Sequence, residues 1–202
     1  MVCRSRELID PSDEAIPFSS EEKERLLNLA RATIGFYFEH RRRATPDDLN
    51  IACTAGMRVI AGAFVTLHLD GQLRGCIGEL DPDRSLCDVV IDHALNAAFK
   101  DPRFPPLTQE EWKRIHVEIS VLSPPRPVES WRDIEIGVHG VILRHGRASA
   151  VFLPQVATEQ GWDRKTMLDH LALKAGLPAG AWRDEGAQFS VFMATVFGEE
   201  QS

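Results

Sequence analysis

Apolar positions along the chain change their spacing several times, and each change marks an element. Leu26, Leu29, Ala30, Thr33 and Tyr37 recur at helical intervals behind Ser19 and Glu22, a residue pair with the spacing of a capping box. Phe18 stands where a hydrophobic staple would. That helix runs into His40-Arg41-Arg42-Arg43, ahead of Thr45-Pro46. Cations are favourably placed and solvated at a helix C-terminus, which accounts for the three arginines without a phosphate contact. From Gly62 to Gly78 the pattern becomes strand-like around Asp70-Gly71, and Asp-Gly between β-formers predicts a type I′ hairpin. With those two residues as the loop, Leu69 faces Gln72, Leu67 faces Arg74 and Val65 faces Cys76. Arg74 and Cys76 then share one face, with Leu73 and Ile77 on the other; a slip of one residue would exchange the faces.

Asp81-Pro82-Asp83 makes a turn, and a helix follows from about Ser85 to Lys100. Its polar positions are a narrow stripe, Asp88, Asp92, Asn96 and Lys100, so the helix is mostly buried, and His93 on its apolar side reads as a hydrogen-bonded core histidine. Asp101-Pro102-Arg103-Phe104-Pro105-Pro106-Leu107 cannot be regular structure. Thr108 and Glu111 form a second capping box for a short helix through Arg114. His116 to Leu122 alternates as a strand, stopped by the connector Ser123-Pro124-Pro125-Arg126-Pro127.

The second half repeats this outline. A hairpin over Val138 to Leu153 turns at His145-Gly146, a helix spans Asp163 to Ala175 before Gly176-Leu177-Pro178, and Gln188 to Phe197 closes as one strand. Hairpin, helix and strand thus occur twice, 75 positions apart from Gly71 to Gly146. The fold class is α+β with mostly antiparallel sheet, built on an internal duplication. Residues 1–17 lack periodicity and read as a flexible arm, leaving 18–202 as a single domain.

Composition narrows the function. A net charge of -7 argues against nucleic acid as a partner, and no apolar run reaches the length of a membrane span. The charged N-terminus leads into no signal-peptide core. Cys3, Cys53, Cys76 and Cys87 form no C-x-x-C pair, which favours a reduced cytoplasmic protein. The seven histidines show no metal-ligand spacing, and no phosphate-binding glycine loop is present, so neither metal nor cofactor is expected.

The chemistry concentrates at Arg74-Gly75-Cys76-Ile77-Gly78; the second copy has Ser149-Ala150-Val151-Phe152-Leu153 there. A guanidinium one strand step from a thiol favours the thiolate. One reading makes Cys76 a nucleophile or redox thiol activated by Arg74, with His139 as base (His68 second) and backbone N–H groups near Gly75 and Gly78 as oxyanion donors. Another makes Arg74 and Arg103 the holders of a carboxylate or phosphate on a small anionic ligand, peptide or partner, with Phe104 and Pro105 as an apolar wall. A third makes the glycines packing requirements and Arg74 a satisfied ion pair. Because glycine in the first segment and proline in the second both break regular-structure rules, Arg74, Cys76, Asp101 and Arg103 are expected to cluster around one concavity.

Leu73-Arg74-Gly75-Cys76-Ile77-Gly78 is similar to the LRGCIG signature of the AMMECR family, whose bacterial and archaeal members are called AmmeMemoRadiSam-system protein A. Gly62 to Leu67, Asp101 to Leu107, Glu118 to Leu122, Gly137 to Gly140, Leu153 to Val156 and Gly161 to Asp163 agree with that family's pattern, from about residue 23 to 197. The resemblance implies two unequal subdomains, with the signature lining a cleft between them. It also implies an accessory role beside a Memo-like protein and a radical-SAM enzyme, and it names no reaction.

Overall fold

The computed structural model describes residues 15–200, so most of the expected N-terminal arm lies outside the described residues. The chain divides into two compact units. The larger takes Ile16–Leu122 together with the chain from Thr195 onward, and of the described residues the smaller takes Ser123–Ala194 and Ala15.

In the larger unit, helix α1 (Ser20–His40) starts at the capping box of Ser19 and Glu22 and ends with Arg41 in the left-handed region. Strands β1 (Ala63–Leu69) and β2 (Gln72–Glu79) form the hairpin, and Asp70 and Gly71 both carry the positive φ that a type I′ turn requires. Helix α2 (Leu86–Phe99) is capped by Ser85 and followed by the short α3 (Gln109–Trp112), capped by Thr108 and Glu111. Strand β3 (Ile115–Leu122) pairs with β1, and β8 (Ala194–Gly198) completes a sheet of order β2-β1-β3-β8. α1 and α2 bury Leu26, Leu29, Ile34, Val90 and Ile91 against Val65, Leu67, Val117 and Ile119. His93 is buried, with Nε2 3.1 Å from Glu79 Oε1, as its place on the apolar side predicts.

The smaller unit repeats the plan. Strands β5 (Gly140–His145) and β6 (Ala148–Phe152) make the hairpin, helix α5 (Arg164–Lys174) follows a short α4 (Pro154–Glu159), and β7 (Ala187–Phe192) pairs with β5. With β4 (Arg126–Val128) the order is β4-β7-β5-β6. In both units the first hairpin strand is central, flanked by its hairpin partner and by the strand after the helix.

Five expectations are corrected. The strand read as Gln188 to Phe197 is two, β7 and β8, in different sheets, with the break at Met193. The proline connector contains β4; Pro127 is tolerated because β4 is an edge strand with a side that needs no donor. The second hairpin has Gly146 and Arg147 as its loop, since His145 pairs with Ala148. The cysteines are not all reduced: Cys53 and Cys87 are joined in a disulfide across 34 positions, a pairing that no spacing rule marks. Arg42 and Arg43 are not merely solvated. Arg42 forks onto Asp48 (2.8 and 2.9 Å), and Arg43 bridges Asp88 and Asp92.

Candidate functional site

The β1/β2 register holds as expected at Leu69 and Gln72, then breaks. Leu67 pairs with Gly75 and His68 with Leu73, which leaves Arg74 as the extra residue of a β-bulge. Beyond it, Thr66 rather than Val65 faces Cys76, and Val65 faces Ile77, which packs on the core. The bulge turns Arg74 into the fold. Arg74 is 7% exposed, and its guanidinium grips Glu111 through Nε and Nη2 (3.0 and 3.1 Å), while Nη2 also donates to the Pro105 carbonyl (2.9 Å). Arg74 Nη1 is buried without a hydrogen-bond partner. Arg74 holds the Glu111 carboxyl down at about 2.

The glycines admit the chain's own backbone. A Cβ on Gly75 would run into the Ala97 carbonyl of α2, and one on Gly78 into Ala63 and Phe64 of β1. β2 can therefore lie close to both neighbours only with glycine at these places.

The irregular loop after α2 closes the free edge of β2. Asp101, its side chain 1% exposed, accepts the Cys76 N–H (2.9 Å). Arg103 donates to both Asp101 oxygens (2.9 and 2.6 Å) and to the Cys76 carbonyl (3.3 Å). The ion pair presents an acceptor and a donor to the strand edge, as a further strand would. Chiefly through Arg103, the Asp101 carboxyl is held well below the usual carboxylate range. Phe104 lies beneath both guanidiniums, with its ring centre 5.7 Å from Arg74 Cζ and 5.5 Å from Arg103 Cζ. Arg74, Cys76, Asp101, Arg103 and Phe104 are thus one connected cluster.

The Cys76 thiol accepts the Thr66 hydroxyl at 3.3 Å. Burial pushes its pKa up, more strongly than Thr66 and Arg103 pull it down, and Asp101 and Glu118 add to the rise. His139 belongs to the smaller unit, where its Nδ1 accepts the Glu135 N–H (3.0 Å) and its own N–H donates to the Glu135 carbonyl (2.9 Å). Among the described residues no group of three or more His, Cys, Asp or Glu side chains is disposed to hold a metal ion, and no helix is long and apolar enough to cross a membrane.

The family profile described as AMMECR1 matches residues 27–197. The chain belongs to the AMMECR1 family. A protein of Methanothermobacter thermautotrophicus is 43% identical over 194 residues, covering 91% of this chain and 97% of the relative. Protein MK0488 of Methanopyrus kandleri is 41% identical over 190 residues, 90% of each chain. The crystal structure of the uncharacterized protein PH0010 from Pyrococcus horikoshii is similar at 36% identity, with a TM-score of 0.84 over 91% of this chain and 94% of that one.

Within this AMMECR1 protein, two members of the cluster escape sequence reasoning. Glu111 is legible only as a capping residue, although it also neutralises Arg74 from 37 positions away. Thr66 carries no signal of its own, because its contact with the thiol depends on the bulge.

Proposed function

We propose that this AMMECR1-family chain is a binding component rather than an enzyme, acting as an accessory to Memo-like and radical-SAM proteins in a modification pathway. Its recognition surface is β2 residues 74–78 with the loop 101–104. The observation that carries the reading is Arg103. Its side chain is 52% exposed, yet it is clamped by a buried carboxylate and by the Cys76 carbonyl. A guanidinium held this way loses little entropy on meeting a carboxylate or phosphate, and Nη1 is left to donate. Phe104 supplies an apolar surface beside it.

The raised thiol pKa supports this reading over catalysis by Cys76 with His139 as base, since the thiolate is the nucleophile and burial disfavours it. Arg74 is engaged with Glu111 and serves to hold the loop in place.

The test is calorimetric titration of the chain with a purified Memo-like protein and, separately, a radical-SAM protein from the same genome. Arg103→Ala is expected to weaken the complex at least tenfold, while Cys76→Ser keeps it. Binding that survives Arg103→Ala but fails with Cys76→Ser would return the thiol to the centre. No complex with either partner would remove the accessory role.

A further inference from the structure

A cavity of about 260 Å³ opens in the larger unit, bounded by Arg43, Arg84, Asp92, Leu95, Asn96 and Lys100. Its lining sets three cations against one carboxylate, and that carboxylate is already used. Asp92 accepts Arg43 Nε at 2.6 Å through one oxygen and Arg84 Nε at 3.1 Å through the other. Arg43 gives Nη2 to Asp88 and Nη1 to the Ala44 carbonyl. Arg84 gives Nη2 to Glu79 at 2.5 Å, but its Nη1 comes no nearer than 3.9 Å to Asp83, a fully exposed side chain. Asn96 Nδ2 has only a long contact of 3.4 Å to His93. Lys100, at the C-cap of α2, donates its backbone N–H to the Asn96 carbonyl (2.8 Å), while its Nζ makes no hydrogen bond or ion pair among the described residues.

The walls therefore hold more spare donors than acceptors, the amide oxygen of Asn96 being the one uncharged side-chain acceptor in the lining. Arg84, Asn96 and Lys100 border one small volume, with Leu95 as its apolar part. Asp92 fixes both guanidiniums in place, so the arginine donors are ordered in advance.

We propose that this cavity binds a compact oxyanion, the shared chemistry of a phosphate group and a carboxylate, held by Arg84, Asn96 and Lys100. The volume is below the 300–1,000 Å³ usual for drug-sized ligands, so the occupant is an anionic group with at most a few carbons. Carboxylates outside the lining (Glu79, Asp83, Asp88) offset much of the cationic field. Selectivity therefore comes from donor geometry, and affinity is modest, with Kd on the order of 1 mM.

The experiment titrates the isotope-labelled chain with inorganic phosphate and, separately, with propionate, at ionic strength held constant with sodium chloride. Saturable shifts are expected at the Asn96 side-chain amide, the Arg84 Nε–H and the backbone of residues 95–100. The anion that saturates identifies the group preferred. Lys100→Ala should weaken binding at least fivefold; since Lys100 has no partner to lose, its resonances elsewhere should stay in place. Arg84→Gln should weaken it similarly. Shifts that never saturate, that spread over the surface, or that persist unchanged in Lys100→Ala would overturn the proposal.

Discussion

Replacing Glu111 with glutamine tests the bond that holds the signature strand to its loop. Glutamine also serves at the third position of a capping box, so α3 keeps its cap and the change is confined to charge. A carboxyl held at about 2 rather than its ordinary 4.5 represents about 3 kcal/mol of stability at neutral pH. The Glu111 side chain is 25% exposed, and water screening trims this to about 2 kcal/mol. The other side of the account is Arg74, 7% exposed, with Nη1 already unpartnered; left uncompensated it raises the cost to about 2–4 kcal/mol. The direction with pH follows from the lowered pKa. Glu111 stabilises the fold fully above the unfolded value of 4.5, and that stability drains away as pH falls from there towards 2. Urea titrations of the two proteins at pH 7, 4 and 3 should therefore converge as the pH drops. Adding Arg74→Met to Glu111→Gln should recover much of the loss, because no buried charge remains. A cost below about 0.5 kcal/mol at pH 7, or parallel pH profiles, would refute the reasoning.

Three further outcomes are expected. Gly75→Ala sets a Cβ against the Ala97 carbonyl, where only backbone can give way; a loss of about 2–3 kcal/mol should appear as a Tm lower by roughly 5–10 °C, and a loss under about 1 kcal/mol would show that β2 can draw back from α2. Reducing the Cys53–Cys87 disulfide opens a 34-residue loop and should cost about 4 kcal/mol, seen as a drop in Tm with dithiothreitol and absent from a Cys53→Ser/Cys87→Ser double variant. Iodoacetamide should modify Cys76 more slowly in the folded protein than in urea, with its pH midpoint above that of a free thiol; rapid labelling at neutral pH contradicts the burial argument.

Local signals in the sequence were strong where one residue type has one mechanical use. Asp70-Gly71 specifies its turn, the three helix starts at Ser19, Ser85 and Thr108 are written in their capping side chains, and the polar stripe of α2 predicts its burial. What sequence could not show depends on contacts between distant segments. The bulge at Arg74 exists because its guanidinium finds Glu111 and Pro105, and neither lies within 30 positions. The glycines could be read as packing requirements, but it could not be read that the segments packed on them are α2 and β1. The continuous apolar run from Gln188 to Phe197 hides a change of sheet, because the residues on either side of Met193 are equally strand-forming. The grouping of Arg74, Cys76, Asp101 and Arg103 was foreseeable from two rule-breaking segments, whereas the role of Asp101 and Arg103 as a substitute strand edge was not.

The discontinuity of the larger unit bears on the order in which the chain can fold. Its closing bonds come from the end of the sequence: Glu199 receives Arg31 (2.5 and 2.6 Å) from 168 positions upstream, and accepts the Val117 N–H (2.8 Å) across 82. Contacts this remote are slow to form, since the intervening chain must surrender its freedom first. The smaller unit shortens that search. Its segment Ser123–Ala194 is continuous, and the two ends of that segment are tied together where the Ser123 N–H donates to the Met193 carbonyl (2.9 Å) and the Met193 N–H donates back to the Ser123 hydroxyl (3.0 Å). Once it has folded, the path from Val117 to Glu199 behaves as a loop of about a dozen residues, and the closure penalty falls by about 2 kcal/mol. The inserted segment thereby acts as a splint for the strand that completes its host.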